Sequence, residues 1–279
     1  MNENAAIRTS NISKYFGDFR ALNDLTISVP QGEIFGFIGK NGAGKTTFMR
    51  IICGLMKPSS GIFEVKKKVS LLPQNVRFRD NMNGAEALRF FAGLRGCNAT
   101  DNIEFAKGLE IDLTKKINNL SPGQQRKLQL VITTIGSPEI LILDEPTAGL
   151  DPSGVQQVRG IIRALNQRGC TIFISSHVLM ELENLCDTIA VIEKGELRYQ
   201  GACSTVYEIE TEGMDERILV SLSELRKKFE VKDDILIAGV ERQEVPMVLQ
   251  LLYEKNVKVF GVKRQGIEML YNRLVKEGS

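Results

Sequence analysis

The chain has 279 residues, 43% of them hydrophobic and 25% charged, as in ordinary globular proteins that fold without disulfides or a structural metal. Its 36 basic and 34 acidic side chains leave a formal net charge of +2, which argues against bulk nucleic-acid binding. The five cysteines are scattered, so we expect reduced thiols rather than a disulfide framework or a zinc site. We find no secretory signal and no run approaching about 18 apolar residues, so any membrane span is expected to come from another polypeptide.

Residues 7–38 have an alternating apolar pattern that predicts strands, the last of them over Gly32–Ile38. The next segment, Gly39-Lys-Asn-Gly-Ala-Gly-Lys-Thr46, fits G-x-x-x-x-G-K-[ST] and precedes a predicted helix over Thr47–Leu55. In this pattern, glycines allow successive backbone N–H groups to surround a polyphosphate. Lys45 is then expected to reach the β- and γ-phosphates, and Thr46 to offer its hydroxyl to Mg²⁺. The segment therefore predicts a nucleotide phosphate loop.

Two short strands are predicted after this helix, at Gly61–Val65 and Val69–Leu72. From about Asn83 to Ile135, apolar residues recur at helical spacing instead. We interpret this stretch as a helical insertion in an α/β domain.

Within the insertion, Leu120-Ser-Pro-Gly-Gln124 precedes a predicted helix over Gln125–Ile135. Ser121 is predicted to be the N-cap, Pro122 to occupy the first helical position, and Gln124 to complete a capping box. Capping alone explains these residue types. A helix N-terminus with serine and glycine is also suited to binding a phosphate, so both interpretations remain open at this point.

Asp144 and Glu145 stand at the end of an apolar strand predicted over Glu139–Pro146, where open α/β sheets bind their ligands. Because successive strand side chains point to opposite faces, the two carboxylates are expected to have different roles. Asp144 is expected to hold Mg²⁺, directly or through water. Glu145 is expected to polarise the water that attacks the γ-phosphate.

The following elements alternate between strands and helices, which implies a mostly parallel sheet with helices on both faces. They are the helix Ser153–Gln167, the strand Thr171–Ser176, the helix Met180–Cys186, and the strands Thr188–Glu193 and Glu196–Tyr199. Beyond about Cys203 we predict a small α+β extension of about 70 residues. Its elements are strands at Ile218–Ser221, Asp234–Ala238 and Val257–Val262, and helices at Val245–Glu254 and Gly266–Lys276.

The order of these motifs resembles that of the ATP-binding subunits of ABC transporters. The ordered set is the phosphate loop, Gln74, LSPGQ, the strand ending in Asp144-Glu145, the loop Ala148-Gly-Leu-Asp151, and a strand followed by His177. The resemblance covers about residues 7–203. LSPGQ is the decisive element, because generic phosphate-loop ATPases and GTPases lack it, and the chain has no N-K-x-D motif that would favour GTP.

The resemblance implies an α/β fold: a P-loop NTPase of the ABC ATPase type, with a mostly parallel sheet, an antiparallel β subdomain and a helical subdomain. We expect the ABC ATPase domain over residues 1–203, with the helical subdomain at about 75–137. Residues 204–279 are expected to form the small C-terminal α+β extension.

The resemblance also implies roles for individual residues. Phe16 would stack on adenine, with Tyr15 as the neighbouring candidate, although either fits a half-buried core aromatic as well. Glu145, His177 and Gln74 would be catalytic: His177 hydrogen-bonds the γ-phosphate and Gln74 senses Mg²⁺ and the γ-phosphate. The Mg²⁺ ligands would be Thr46, Gln74 and Asp144. The phosphate-binding residues would be Gly39, Lys40, Asn41, Gly42, Ala43, Gly44, Lys45, Thr46 and Thr47.

A second set would act across a dimer. Ser121, Gly123 and Gln124 would contact the γ-phosphate of ATP held by the opposite subunit, and Asp151 would couple the two sites. We therefore expect a homodimer or paired ATPase subunit that closes around two ATP molecules. Pro122 replaces the glycine most common in this motif, and the hairpin between Gly61 and Gln74 is shorter than usual; we expect neither change to abolish hydrolysis.

The resemblance is to the exporter branch that handles drugs, antibiotics and lipid-like cargo. The expected partner is a separately encoded integral membrane permease, which would hold the chain at the cytoplasmic face of the membrane; no nucleic acid is expected. One alternative is a soluble ABC-type ATPase acting in DNA repair or translation, but the paired cassettes or long coiled-coil insertions usual there are missing. The other alternative is an interaction module that binds a nucleotide without hydrolysing it, and the presence of Glu145 and His177 argues against it.

Overall fold

The computed structural model describes residues 4–65, 67–76, 78, 81–183, 185–203, 206–223, 225, 227–232, 234–240 and 243–265. Within these ranges, no helix has the length and apolar character required to cross a membrane. The chain forms two compact units, Met1–Val178 with Leu185–Gly201, and Leu179–Asn184 with Ala202–Ser279. The domain boundary expected at residue 203 stays a prediction.

The described residues of the two units form the following strands and helices. The strands are β1 (Ala5–Phe16), β2 (Phe19–Leu25), β3 (Ser28–Pro30), β4 (Ile34–Ile38), β5 (Ser60–Val65), β6 (Val69–Leu72), β7 (Ile140–Asp144), β8 (Thr171–Ser176), β9 (Thr188–Glu193), β10 (Glu196–Ala202), β11 (Val206–Glu212), β12 (Lys228–Lys232), β13 (Ile235–Gly239) and β14 (Lys258–Gln265). The helices are α1 (Lys45–Ile52), α2 (Gly84–Leu94), α3 (Thr100–Gly108), α4 (Pro122–Thr133), α5 (Pro152–Gln167), α6 (Leu179–Glu183), α7 (Glu216–Ser223) and α8 (Val245–Glu254).

A six-stranded sheet in the order β10-β9-β4-β8-β7-β6 forms the centre of the first unit. Its strand β4 pairs in parallel with β8 and β9, and β7 pairs in parallel with β6 and β8. Every residue of β4, β7 and β8 is buried, as expected for parallel strands covered on both faces. The aromatic rings of Phe35, Phe37, Phe48 and Phe173 pack together within the main core. The carboxyl ends of these strands carry the site described below.

Two further layers complete the first unit. Strand β1 pairs antiparallel with β2, β3 and β5 in a separate four-stranded sheet. Helices α2, α3 and α4 share a second hydrophobic cluster. Asn83 begins α2 with a complete capping box, in which it exchanges hydrogen bonds with Glu86.

The second unit contains the order β11-α7-β12-β13-α8-β14. Its antiparallel sheet has the strand order β12-β13-β11-β14, which is the ferredoxin-like βαββαβ arrangement. Residues of the sheet and of both helices form its own core, with Ile209, Leu222, Leu236, Val248 and Leu252 fully buried.

The strand expected at Ile218–Ser221 is wrong, because these residues lie in α7. Asp215 accepts a hydrogen bond from the backbone N–H of Ile218 at 2.9 Å, and Ile218 and Leu222 are buried four residues apart, as on one helix face. The sequence pattern also missed β11 and β12. The helix expected at Gly266–Lys276 lies outside the described residues.

Two expected details of helix ends are also different. Helix α1 begins at Lys45, two residues before its predicted start. Ser121 caps α4 as expected, by accepting a hydrogen bond from Gln124 N at 3.3 Å. The predicted capping box is wrong, however, because the Gln124 side-chain amide donates to the carbonyl of Glu110 instead.

Candidate functional site

The phosphate loop connects β4 to α1 and depends on glycines that approach other backbone closely. Gly44 has φ +104°, and a Cβ there would lie 2.7 Å from the Ala21 carbonyl oxygen. A Cβ on Gly39 would lie 2.6 Å from the Ile192 carbonyl oxygen. Gly44 also precedes α1 without a side-chain cap, and the first turn of this helix has no acidic residue. Its N-terminal N–H groups are therefore suited to an anion.

A cavity of about 410 Å³ lies over this loop. Among the predicted site residues, it is lined by Phe16, Lys40, Asn41, Gly42, Gly44, Lys45, Thr46, Thr47, Gln74, Asp144 and Glu145. Phe16 is 48% exposed at the cavity. Tyr15 is not among the lining residues, and its ring lies under the Arg20 guanidinium instead. The predicted phosphate-binding residues Gly39 and Ala43 are not among the lining residues, and both are buried.

Asp144, at the end of β7, is held by two hydroxyl groups. Thr46 Oγ1 donates to its Oδ2 at 3.0 Å, and Ser175 Oγ donates to its Oδ1 at 2.7 Å. Hydroxyl and carboxylate oxygens are the hard ligands that Mg²⁺ takes, usually one or two from the protein with the rest from phosphates and water. No group of three or more His, Cys, Asp or Glu side chains that could hold a metal occurs among the described residues. The Thr46–Asp144 pair therefore fits Mg²⁺ bound together with a nucleotide.

Glu145 lies between two cationic or proton-carrying groups. Its Oε1 is 3.5 Å from Lys45 Nζ, and its Oε2 is 2.7 Å from His177 Nδ1. The Lys45 ammonium also donates to the Gly39 carbonyl at 2.6 Å. Glu145 and Lys45 are buried, whereas the His177 side chain is 46% exposed. An ionised carboxylate only accepts hydrogen bonds, so with Glu145 ionised this contact requires the form of His177 that carries a proton on Nδ1.

The backbone of Glu145 has φ +48°, in the left-handed region that costs a non-glycine residue about 1–3 kcal/mol. Its N–H donates to Ser175 Oγ at 3.1 Å. The Arg126 guanidinium donates to its carbonyl at 2.8 Å. The surroundings therefore fix an unfavourable backbone conformation at the carboxylate expected to be catalytic.

The residues expected to act across a dimer lie outside this cavity. Ser121 and Gln124 are tied to each other by the α4 cap, and Asp151 caps α5 by accepting from Gly154 N at 3.0 Å. Neither these residues nor Gly123 is among those that line the cavity over the phosphate loop. Within one chain, the structure does not bring the two sets together.

Sequence reasoning missed four residues of the site. Phe19 and Ala21 line the cavity beside Phe16, and Ser175 and Arg126 hold the Asp144-Glu145 turn. Phe19 pairs with Phe16 across the β1–β2 hairpin, so the F-G-D-F spacing carries the signal for it. Arg126 has no such signal, because its partners are mainly backbone carbonyls of distant segments.

Comparisons with known proteins agree on the family. A family model described as "ABC transporter" matches residues 22–148. An uncharacterized ABC transporter ATP-binding protein of Methanocaldococcus jannaschii is 38% identical over 204 residues, which cover 70% of this chain and 77% of the relative. The bacitracin transport ATP-binding protein BcrA of Bacillus licheniformis is 38% identical over 207 residues, covering 68% of each chain.

Solved structures show the same fold. An ATP-binding cassette of an ABC transporter superposes with a TM-score of 0.65 at 25% identity, covering 71% of this chain and 91% of the other. This likeness confirms the predicted fold, an α/β P-loop NTPase of the ABC ATPase type. The sequence match to the relatives and the matched family together identify the chain. It belongs to the ABC transporter ATP-binding proteins, the subunits that hydrolyse ATP in these transporters.

Proposed function

We propose that this chain is the ATPase of an ABC exporter and that it works as a homodimer or with a paired ATPase subunit. It then drives a separately encoded integral membrane permease, from the cytoplasmic face of the membrane. The relative named for bacitracin transport supports an antibiotic or similar amphipathic cargo. The site that carries the proposal is buried Glu145, placed between Lys45 and His177 at the phosphate loop.

The contacts support distinct roles in hydrolysis. Lys45 and the N–H groups at the start of α1 bind the phosphates, since both present positive charge to the same cavity. Phe16 contacts the adenine from the cavity rim. Glu145 accepts the proton of the attacking water, and His177 orients its carboxylate through the 2.7 Å hydrogen bond.

The Thr46 hydroxyl and the Asp144 carboxylate are the protein ligands proposed for Mg²⁺, with Gln74 as the third predicted ligand at the same cavity. When bound there, the ion would neutralise charge on the β- and γ-phosphates. Asp144 is kept in place for this role by the Ser175 hydroxyl.

The placement of Ser121, Gly123, Gln124 and Asp151 away from this cavity supports a shared site. We propose that a second chain supplies these residues to complete the enclosure of ATP. The N-terminus of α4, where Ser121 is the cap residue, would then face the γ-phosphate of the partner's ATP. ATP would join the two chains, and hydrolysis would release them.

The substitution Glu145→Gln tests the catalytic assignment. It keeps the size of the side chain and removes the proton acceptor, so ATP turnover should fall by a factor on the order of 10²–10⁴. ATP binding should persist, and the variant should form an ATP-dependent dimer detectable by gel filtration or light scattering. Turnover is measured as phosphate release in Mg²⁺-ATP.

Glu139→Gln is the matched control, because Glu139 precedes the same strand β7 and pairs at the surface with Lys67. It should hydrolyse ATP at the wild-type rate. Wild-type turnover in Glu145→Gln would overturn the catalytic assignment. Co-purification with an integral membrane protein would support the transporter role, and exclusive recovery with ribosomes or DNA would contradict it.

A further inference from the structure

The Arg126 side chain is buried beside the catalytic turn, with only 7% of its surface exposed. Its Nε donates to Pro146 O at 2.7 Å, and its Nη2 donates to Asp144 O at 3.1 Å and to Glu145 O at 2.8 Å. Three consecutive carbonyls of the turn are therefore held by one planar group. A guanidinium has five N–H donors in a fixed fork, which no other side chain offers.

The remaining donors of Arg126 connect this turn to the segment of Gln74. Nη1 donates to the side-chain oxygen of Gln129 at 2.9 Å, and to the carbonyls of Pro73 and Gln74 at 3.4 Å each. Gln129 lies one turn further along α4, so it orients the guanidinium from its own helix. One side chain thus joins α4, the Asp144–Pro146 turn and the backbone of Gln74.

These hydrogen bonds act on the two peptide groups that flank the Glu145 Cα. The carbonyl of Asp144 belongs to the peptide before Glu145, and the carbonyl of Glu145 belongs to the peptide after it. Holding both sets φ and ψ of a residue whose φ is +48°. The backbone conformation in turn sets the direction of the Glu145 side chain toward Lys45 and His177.

Charge supports the same arrangement. Asp144 and Glu145 are both buried, and Lys45 and Arg126 are the buried cations beside them. Burial lowers the pKa of Arg126 from its ordinary value to about 10, and the nearby charges of Asp144 and Glu145 oppose that change. Arg126 therefore keeps its positive charge at neutral pH.

We propose that Arg126 is a positioning residue for ATP hydrolysis. It holds the backbone of Glu145 and the backbone of Gln74 in fixed positions beside the same cavity. It acts through Glu145 and does not touch the nucleotide. The inference rests on the proposed role of Glu145 as the acceptor of the water proton.

Arg126→Lys is the first test. A lysine keeps the charge but offers three donors on one atom, so it cannot reach the carbonyls of Asp144 and Pro146 and the Gln129 oxygen together. We expect kcat to fall by about tenfold or more, while KM for ATP and the ATP dissociation constant stay within about threefold of wild type. An unchanged kcat would overturn the proposal. So would a loss of ATP binding that matches the loss of turnover, since this indicates a general structural role.

Lys127→Met is the matched control, because Lys127 is the next residue of the same helix and is also buried. Its Nζ donates to the Leu109 carbonyl, away from the turn. Turnover per molecule of bound ATP should equal that of wild type. A fall in kcat equal to that of Arg126→Lys would show that any buried change in α4 has this effect and would overturn the proposal.

Gln129→Met keeps the test decisive if Arg126→Lys does not fold. It replaces the side-chain amide, whose oxygen orients Nη1, and preserves the length of the side chain. We expect a smaller fall in kcat, with KM for ATP unchanged. Wild-type kcat in this variant, when Arg126→Lys is not obtained folded, would count against the proposal.

Combining Arg126→Lys with Glu145→Gln tests whether Arg126 acts through Glu145. In single-turnover measurements, the double variant should be no slower than Glu145→Gln alone, because residues that act as a unit are not additive. If Arg126→Lys lowers the single-turnover rate of the Glu145→Gln variant by the same factor as it lowers that of the wild-type protein, the positioning role is overturned. Hydrolysis at the wild-type rate by the Glu145→Gln variant would overturn the proposed role of Glu145, on which this inference rests. Hydrolysis at the wild-type rate by the Arg126 variants, with Glu145→Gln inactive, would overturn only the positioning role of Arg126.

Discussion

At the scale of single residues, the site is defined by how its buried polar groups are paired. Asp144 and Glu145 follow each other in sequence but have separate partners, hydroxyls for Asp144 and cationic or proton-carrying groups for Glu145. The Ser175 hydroxyl contacts both residues, because it donates to the Asp144 carboxylate and accepts from the Glu145 N–H. This bridge fixes the spacing between the proposed metal ligand and the proposed base.

The bridge gives a direct prediction for Ser175→Ala. The change leaves a buried carboxylate oxygen and a buried N–H each without this partner, so the free energy of unfolding should fall by about 1–3 kcal/mol. ATP turnover should fall as well, because both Asp144 and Glu145 lose an orienting contact. Urea denaturation and phosphate release measure the two effects.

Ser70→Ala is the control for Ser175→Ala. Ser70 is buried in the neighbouring part of the same sheet, and its hydroxyl accepts from Arg95 Nη2 at 3.0 Å. We expect a loss of stability of similar size without a change in turnover per folded molecule. Equal effects of the two substitutions on turnover would contradict the bridging role of Ser175.

At the scale of elements, the sequence predicted the central parallel sheet well, since β6, β8 and β9 have the predicted bounds and β4 and β7 lie within theirs. Thr171–Ser176 and Thr188–Glu193 have the predicted bounds, because short apolar runs ending at polar residues have few alternatives in an α/β fold. Ile218–Ser221 was misassigned because its β-branched and aliphatic residues favour a strand locally, while the cap and the four-residue burial period decide for a helix. Arg126 was missed for another reason: its partners are mainly backbone carbonyls from distant segments, which no sequence pattern reveals.

The N-terminus of α7 gives a test at this scale. Asp215→Ala removes the side chain that accepts from Ile218 N, which should destabilise the second unit by about 0.5–2 kcal/mol. Hydrogen exchange of peptides covering 216–223 should become faster. In the control Glu212→Ala, the carboxylate lost is in an exposed pair with Lys258, worth at most about 1 kcal/mol. If this control accelerates exchange in α7 as much as Asp215→Ala, the cap does not explain the helix.

At the scale of the whole molecule, each of the two units has a hydrophobic core of its own. The core of the second unit includes Leu222, which is fully buried between its sheet and helices. Among the residues that the structure describes, those lining the nucleotide cavity belong to the first unit. Unfolding of the second unit should therefore leave nucleotide binding in place.

Leu222→Ala tests this independence. Truncation of a fully buried leucine typically costs about 2–5 kcal/mol, so exchange throughout residues 206–265 should accelerate. ATP binding should stay at the wild-type level. Ile142→Ala, in the core of the first unit, should have the opposite pattern, with weaker ATP binding and unchanged exchange in the second unit. Loss of ATP binding in Leu222→Ala would show that the units depend on each other.

The pairing of β11 with β14 has a consequence for protein engineering. Val206 and Gln265 are register partners, so the first residue of β11 lies beside the last residue of β14. A label introduced at position 265 would therefore lie beside the start of β11. A circular permutant of residues 206–265 is feasible as well, because a short linker can bridge these two neighbouring positions.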